Sequence, residues 1–257
     1  MQDKKIIEAY IGLNVERKHS RRPAILDFLQ SASGLFLGLF MIAHMFFVSS
    51  ILLGESAMYA VTKFFEGSLI FKEHKPWIVS LVAAFVILAF AVHALLALRK
   101  FPINYKQYLV LKAHKHVMKH SDTSLWFLQA ISGFALFFLA SVHLFMVLTQ
   151  PENIGPSTSA YRFVSQHFWV LYLALLIFVE IHASIGLYRL CIKWGWFEKL
   201  GIKNLRKMRL GFSAFFIILG LLSFGAYVKI GLSQDSSKSI EYYKQYDDAT
   251  YGAKGDL

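Results

Sequence analysis

The sequence predicts an all-α fold, an integral-membrane bundle of five transmembrane helices, and two features carry that expectation. Apolar runs long enough to cross a hydrocarbon core, about 20 residues at about 1.5 Å per residue, recur five times, at 29–53, 77–99, 124–149, 167–190 and 209–230. Charged residues make up only 17% of the chain against 56% hydrophobic, and they gather between the runs. A soluble surface with that distribution would expose large apolar patches. The runs are continuous rather than alternating, which favours helices that satisfy their own backbone hydrogen bonds in lipid over a barrel.

Each span is punctuated where a membrane helix tolerates it. Pro76 opens the second span, and Pro151 and Pro156 follow the third, positions where proline ends or begins a helix without breaking it. The N-terminal stretch, about 1–28, is basic and lacks a short apolar core with a cleavage site, so the first span is expected to be retained. The chain reads as one transmembrane domain over 1–257, with a polar, loosely ordered tail from about 231.

Charge sets the expected orientation. Lys4, Lys5, Arg17, Lys18, Arg21 and Arg22 precede the first span, and Lys and Arg are dense again at 99–119 and 189–209. The segments 54–76, 150–166 and the tail balance cations against acids. Positive segments stay in the cytoplasm, which predicts a cytoplasmic N-terminus and a C-terminus on the opposite, outer side of the membrane. The net charge of +11 does not point to nucleic acid, because the cations cap apolar runs rather than lining one soluble groove. Cys191 is the single cysteine, which excludes an intrachain disulfide and a Cys-x-x-Cys-His attachment for covalent heme.

Four of the ten histidines lie inside spans, one on each of the first four: His44, His93, His143 and His182. Counted from the span ends, His44 and His143 fall roughly 9–14 Å below the outer face and His93 and His182 roughly 22–24 Å down. Two layers of paired imidazoles on separate helices are what two bis-histidine b hemes stacked across a bilayer require, with both axial positions of each iron filled. A lone membrane histidine is more often an interhelical hydrogen bond, and the four together carry the heme reading. A weak repeat accompanies them: Gln30, Ser33 and Gly34 precede His44 as Gln129, Ser132 and Gly133 precede His143. Small residues near the ligands, Ala89, Ala97, Ala140 and Gly186, would let a flat macrocycle approach.

Candidate propionate partners follow from depth. Gln30, Ser31, Trp126 and Lys193 fall at the inner end, and Arg162 is the cation of its outer segment; lipid headgroup contact is the alternative for Lys193. His114, His116 and His120 lie outside the spans with no carboxylate or cysteine to complete a metal site. Glu180, two residues from His182, is a carboxylate within the hydrocarbon and a candidate proton carrier, the alternative being a neutral acid bonded to a backbone carbonyl. Glu66, among aromatics in KFFEGSLIF, is a candidate proton acceptor at the outer edge, the alternative being a solvated loop acid.

The segments QSASGLFLGLFMIAHMFFVSSILL, AVHALLALRKFPINYKQY, HKHVMKHSDTSLWFLQAISGF, HLFMVLTQPENIGP and EIHASIGLYRLCIKWGWF closely resemble the cytochrome b subunit of diheme menaquinol:fumarate reductases, over about residues 20–232. The resemblance implies two b hemes, the proximal on His93 and His182 and the distal on His44 and His143. It implies that Glu66 serves menaquinol oxidation on the outer side and that Glu180 belongs to a transmembrane proton path. It implies iron–sulfur and flavoprotein partner subunits docked on the basic inner segments, with electrons passing from distal to proximal heme and on to fumarate. The assembly it implies includes contact with lipid and the menaquinone pool, and a dimer of heterotrimers is compatible with it. Two rivals stay open on sequence: the diheme anchor of a succinate dehydrogenase running the opposite way, and a heme-free proton-coupled transporter using the histidines and Glu180 as a relay.

Overall fold

The computed structural model describes residues 20–71, 74–101, 104–118 and 121–252. Most of the predicted N-terminal segment, His19, His120 and the end of the tail lie outside the described residues. The five expected spans are present as long helices: α1 (Arg22–Ser49), α3 (Trp77–Leu98), α5 (Ser121–Thr149), α7 (Trp169–Lys193) and α8 (Gly201–Ser233). All five are long and apolar enough to cross a membrane. Between them lie α2 (Glu55–Phe65), α4 (Tyr105–Met118) and α6 (Pro156–Val164), and α9 (Ile240–Tyr251) follows the last span.

Local chemistry sets the boundaries. Proline stands in the first turn of α1 and of α6, where its missing N–H costs no hydrogen bond. A short 3-10 turn, Ser50–Leu53, tightens the end of α1, and Gly54 then adopts φ 118°, a conformation glycine reaches without steric cost. That residue turns the chain from the membrane helix into α2. The last helix runs longer than expected, from Gly201 rather than 209, because the cations of its first turns extend into water while the helix continues.

Helices α1, α3, α5 and α7 form a closed ring of neighbours, α1 on α3, α3 on α5, α5 on α7 and α7 on α1, with α8 packed against α7 and α1. Large apolar side chains such as Leu39, Leu81, Phe85, Leu95, Phe134 and Ile218 remain exposed, as a lipid-facing surface demands. The best-buried apolar cluster lies at one end, where Ile51, Met58, Ala160 and Tyr227 meet beneath α2 and α6. Polar links stitch the same end: Ser223 Oγ donates to Ser49 Oγ at 2.9 Å, and Ser80 Oγ to the Leu148 carbonyl at 2.9 Å.

The tail departs from expectation. Through Gly252 it is not loosely ordered: Ser239 Oγ accepts from the Tyr242 N–H to start α9, and α9 packs on α6 and α2. The sequence there is mostly polar, and the apolar contribution comes largely from tyrosine rings spaced along one helix. Tyr243 is buried with its ring tilted against that of Tyr161 at 5.6 Å, and Tyr251 lies 5.8 Å from Tyr59.

Candidate functional site

The ring of four helices brings the intramembrane histidines together in two pairs. His44 on α1 and His143 on α5 have ring centres 6.1 Å apart. His93 on α3 and His182 on α7 have centres 6.3 Å apart. A first-row metal binds imidazole nitrogen at about 2 Å, and the ring centre lies about 1 Å behind that nitrogen, so two imidazoles on opposite sides of one metal have centres about 6 Å apart. Both pairs match that spacing. Among the described residues no cluster of three or more His, Cys, Asp or Glu side chains gathers to hold a bare ion. Each pair therefore offers two nitrogens, which suits a metal whose other four positions a macrocycle supplies.

The surroundings of the His93–His182 pair fix its tautomers. His182 Nδ1–H donates to the Gln129 carbonyl at 2.9 Å, and His93 is likewise hydrogen-bonded to the Gln30 backbone, with Ser33 Oγ 3.2 Å from its Nδ1. A carbonyl only accepts, so Nδ1 carries the proton and Nε2 keeps its lone pair for a metal. Glycine makes the approach possible: a β-carbon at Gly34 would lie 2.8 Å from His93 Cε1, and one at Gly133 2.7 Å from His182 Cε1. The repeat of Gln, Ser and Gly thus has a use that spacing alone does not show. Each copy cradles the inner histidine of a neighbouring helix, α3 for the first and α7 for the second. Gly186 faces the Gln129 amide, whose nitrogen would lie 2.9 Å from an added β-carbon.

The His44–His143 pair sits in an aromatic setting. Phe40 stacks on His44 at 5.8 Å, and Tyr172 meets His143 edge-on at 5.6 Å. His143 Nδ1 is buried without a hydrogen-bond partner. Arg162, on α6, is only 3% exposed; it donates to Gln150 Oε1 at 3.2 Å and bonds Tyr172, and its Nε has no partner. A buried cation with a free donor beside the outer histidines fits an anionic group such as a propionate.

At the start of α1 and the end of α7, Lys193 Nζ donates to Ser31 Oγ at 2.6 Å, uniting two of the candidate residues. Gln30 Oε1 is buried without a partner, and Trp126 is half-buried on α5. Sequence reasoning missed Asp27, just outside the first predicted span. It pairs with Lys193 and, at 2.6 Å, with Lys100.

Glu180 is 6% exposed, with the Ser213 side chain of α8 as a hydrogen-bond partner and Oε1 left without one. It lines a cavity of about 20 Å³ with Gly38, Met45 and Phe216, room for about one water molecule. Glu66 follows α2 directly and is 2% exposed, so it is not a solvated loop acid. Its Oε2 accepts from Lys63 Nζ at 3.0 Å. Lys63, three residues earlier, was legible as a partner; Asp248 on α9, 3.0 Å from the same ammonium, was not.

Comparison with known proteins agrees with this architecture. Residues 104–223 match the family described as the succinate dehydrogenase/fumarate reductase transmembrane subunit. The chain is 64% identical over 232 residues to the fumarate reductase cytochrome b subunit of Helicobacter pylori strain J99, covering 90% of this chain and 91% of that one. It is 57% identical over 251 residues to the subunit of the same description from Wolinella succinogenes, covering 96% and 97%. The chain belongs to the fumarate reductase cytochrome b subunits and is the membrane anchor of such a complex.

Proposed function

We propose that this chain oxidises menaquinol on the periplasmic side of the bacterial inner membrane and delivers the electrons, by way of two b hemes, to an iron–sulfur subunit and a fumarate-reducing flavoprotein. The observation that carries the reading is the pairing of four imidazoles at 6.1 and 6.3 Å on four separate helices. Heme b held by such pairs would supply a one-electron carrier suited to electron transfer rather than oxygen chemistry.

The chain's own residues then have defined work. His93 and His182 hold the proximal group, with Nε2 presented by the Gln30 and Gln129 carbonyls. His44 and His143 hold the distal one. Gln30, Ser31, Trp126 and Lys193 receive the inner propionates, and Arg162 an outer one. Glu66 accepts a proton as quinol is oxidised, the Lys63 ammonium holding it beforehand as the carboxylate that can act as a base. Glu180, with space for one water beside it, carries protons through the hydrocarbon layer. The basic segments face the cytoplasm and dock the soluble partners.

The test is a reduced-minus-oxidised spectrum of membranes carrying the whole complex. Two b-type components are expected. His182→Ala should remove the proximal component and His143→Ala the distal one, each leaving about half the heme. Wild-type membranes with no b-type band would overturn the proposal.

A further inference from the structure

We propose that Asp248, carried on the C-terminal helix α9, is a positioning residue for Glu66: acting through Lys63, it sets how readily this buried carboxylate takes a proton. The inference rests on the reading of Glu66 as the proton acceptor in quinol oxidation.

The geometry is a short chain of charges running from a buried carboxylate to the surface. Glu66 is 2% exposed, and its Oε2 accepts from Lys63 Nζ at 3.0 Å. The same ammonium lies 3.0 Å from Asp248 Oδ1 and 4.9 Å over the Tyr59 ring. Asp248 Oδ1 also accepts from the Tyr59 hydroxyl at 2.9 Å. Burial and that hydrogen bond push the Tyr59 phenol up, which keeps it the donor. The side chain of Asp248 is half exposed while that of Lys63 is 15% exposed, so Asp248 is where the chain reaches solvent.

The other charged groups around this site are otherwise engaged. From α9, Asp247 faces the N–H groups of Ser157 and Thr158, and Tyr251 donates to Glu55. From α6, Arg162 is bonded to Gln150 and Tyr172. The Lys75 N–H donates to the Glu66 backbone carbonyl at 2.9 Å. Among the described residues, the cation paired with the Glu66 carboxylate is Lys63, and Lys63 is shared with Asp248.

Sharing fixes the sign of each perturbation. A lysine at contact distance favours the carboxylate. Asp248 draws on the same ammonium and weakens its hold on Glu66, which leaves the carboxylate more willing to accept a proton. Removing Asp248 and removing Lys63 must then act in opposite directions, an outcome that loosening of the tail alone does not produce.

The experiment uses the complete complex in membranes. Fumarate reduction driven by 2,3-dimethyl-1,4-naphthoquinol is followed against pH and normalised to reduction driven by a dye that donates directly to the soluble subunits. Glu66 acts as a base, so turnover falls on the acid side as it protonates. Asp248→Asn should move this acid limb down by about half a pH unit, discounted for its exposure, and Lys63→Met should move it up by about one. In the Lys63→Met background, adding Asp248→Asn should leave the limb where it was. An unmoved limb in Asp248→Asn, or shifts of the same sign in both single variants, overturns the inference. Glu66→Gln separates the two levels: if it retains quinol-driven turnover, the reading of Glu66 falls and this one with it. If it abolishes turnover while Asp248→Asn leaves the limb unmoved, only the role of Asp248 falls.

Discussion

The imidazole of His182 rests against Gly133 so closely that a β-carbon there would lie 2.7 Å from its Cε1. His93 has the same relationship to Gly34 at 2.8 Å. Contacts below 3 Å force a shift, and the ring cannot yield without breaking its hydrogen bond to the Gln129 carbonyl. Overpacking of this kind costs about 1–3 kcal/mol, and here it falls on the angle at which Nε2 is presented. Gly133→Ala is expected to lower proximal heme occupancy by at least about tenfold while sparing the distal one. Heme counting and the optical spectrum of purified complex check this, and full occupancy of both sites would show that the glycine is only a packing position.

Glu180 carries a different prediction. Its carboxyl has one oxygen unpartnered beside a water-sized cavity and one engaged with Ser213. Glutamine preserves volume and hydrogen bonding but cannot carry a proton. Glu180→Gln is therefore expected to cut quinol-driven fumarate reduction by at least about tenfold, with both hemes still present in the spectrum. Turnover equal to wild type would leave the residue a structural link between α7 and α8.

Much of this was legible in the sequence because a membrane simplifies the problem. Apolar length alone identified five spans, and counting residues from the span ends grouped His44 with His143 and His93 with His182, since a straight helix converts number into depth. What lay hidden depends on rotation about the helix axis and on contacts between distant segments. The Gln, Ser and Gly repeat was visible, but its natural reading tied it to His44 and His143 on the same helices, whereas rotation turns Gly34 toward His93 and Gly133 toward His182. Asp27 escaped notice because its partners Lys100 and Lys193 come from other helices. The order of the tail was hidden because polar composition conceals an interface built from tyrosine rings and a single buried carboxylate.

That carboxylate belongs to Asp247, and it makes the docking of α9 depend on pH. Asp247 is 3% exposed and accepts from the Ser157 N–H at 3.1 Å and the Thr158 N–H at 3.4 Å, at the start of α6. Burial outweighs those hydrogen bonds and pushes the carboxyl up from an ordinary 3.8 to about 6. Docked, the tail therefore holds a proton through the window from about pH 4 to about pH 6 in which the released tail has lost it. The docked state binds more protons there, so docking weakens as pH rises through that window and is level above it. A difference of this size is worth about 2–3 kcal/mol. Amide hydrogen exchange over 240–251 in the intact complex is expected to be several-fold slower at pH 5 than at pH 7.5, after correction for intrinsic exchange. Asp247→Asn keeps an oxygen to accept from Ser157 and Thr158 but has no charge to lose, so its protection should be the same at both pH values. Equal protection of the wild-type tail at the two pH values would mean that the carboxyl is no more costly to ionise in place than in water.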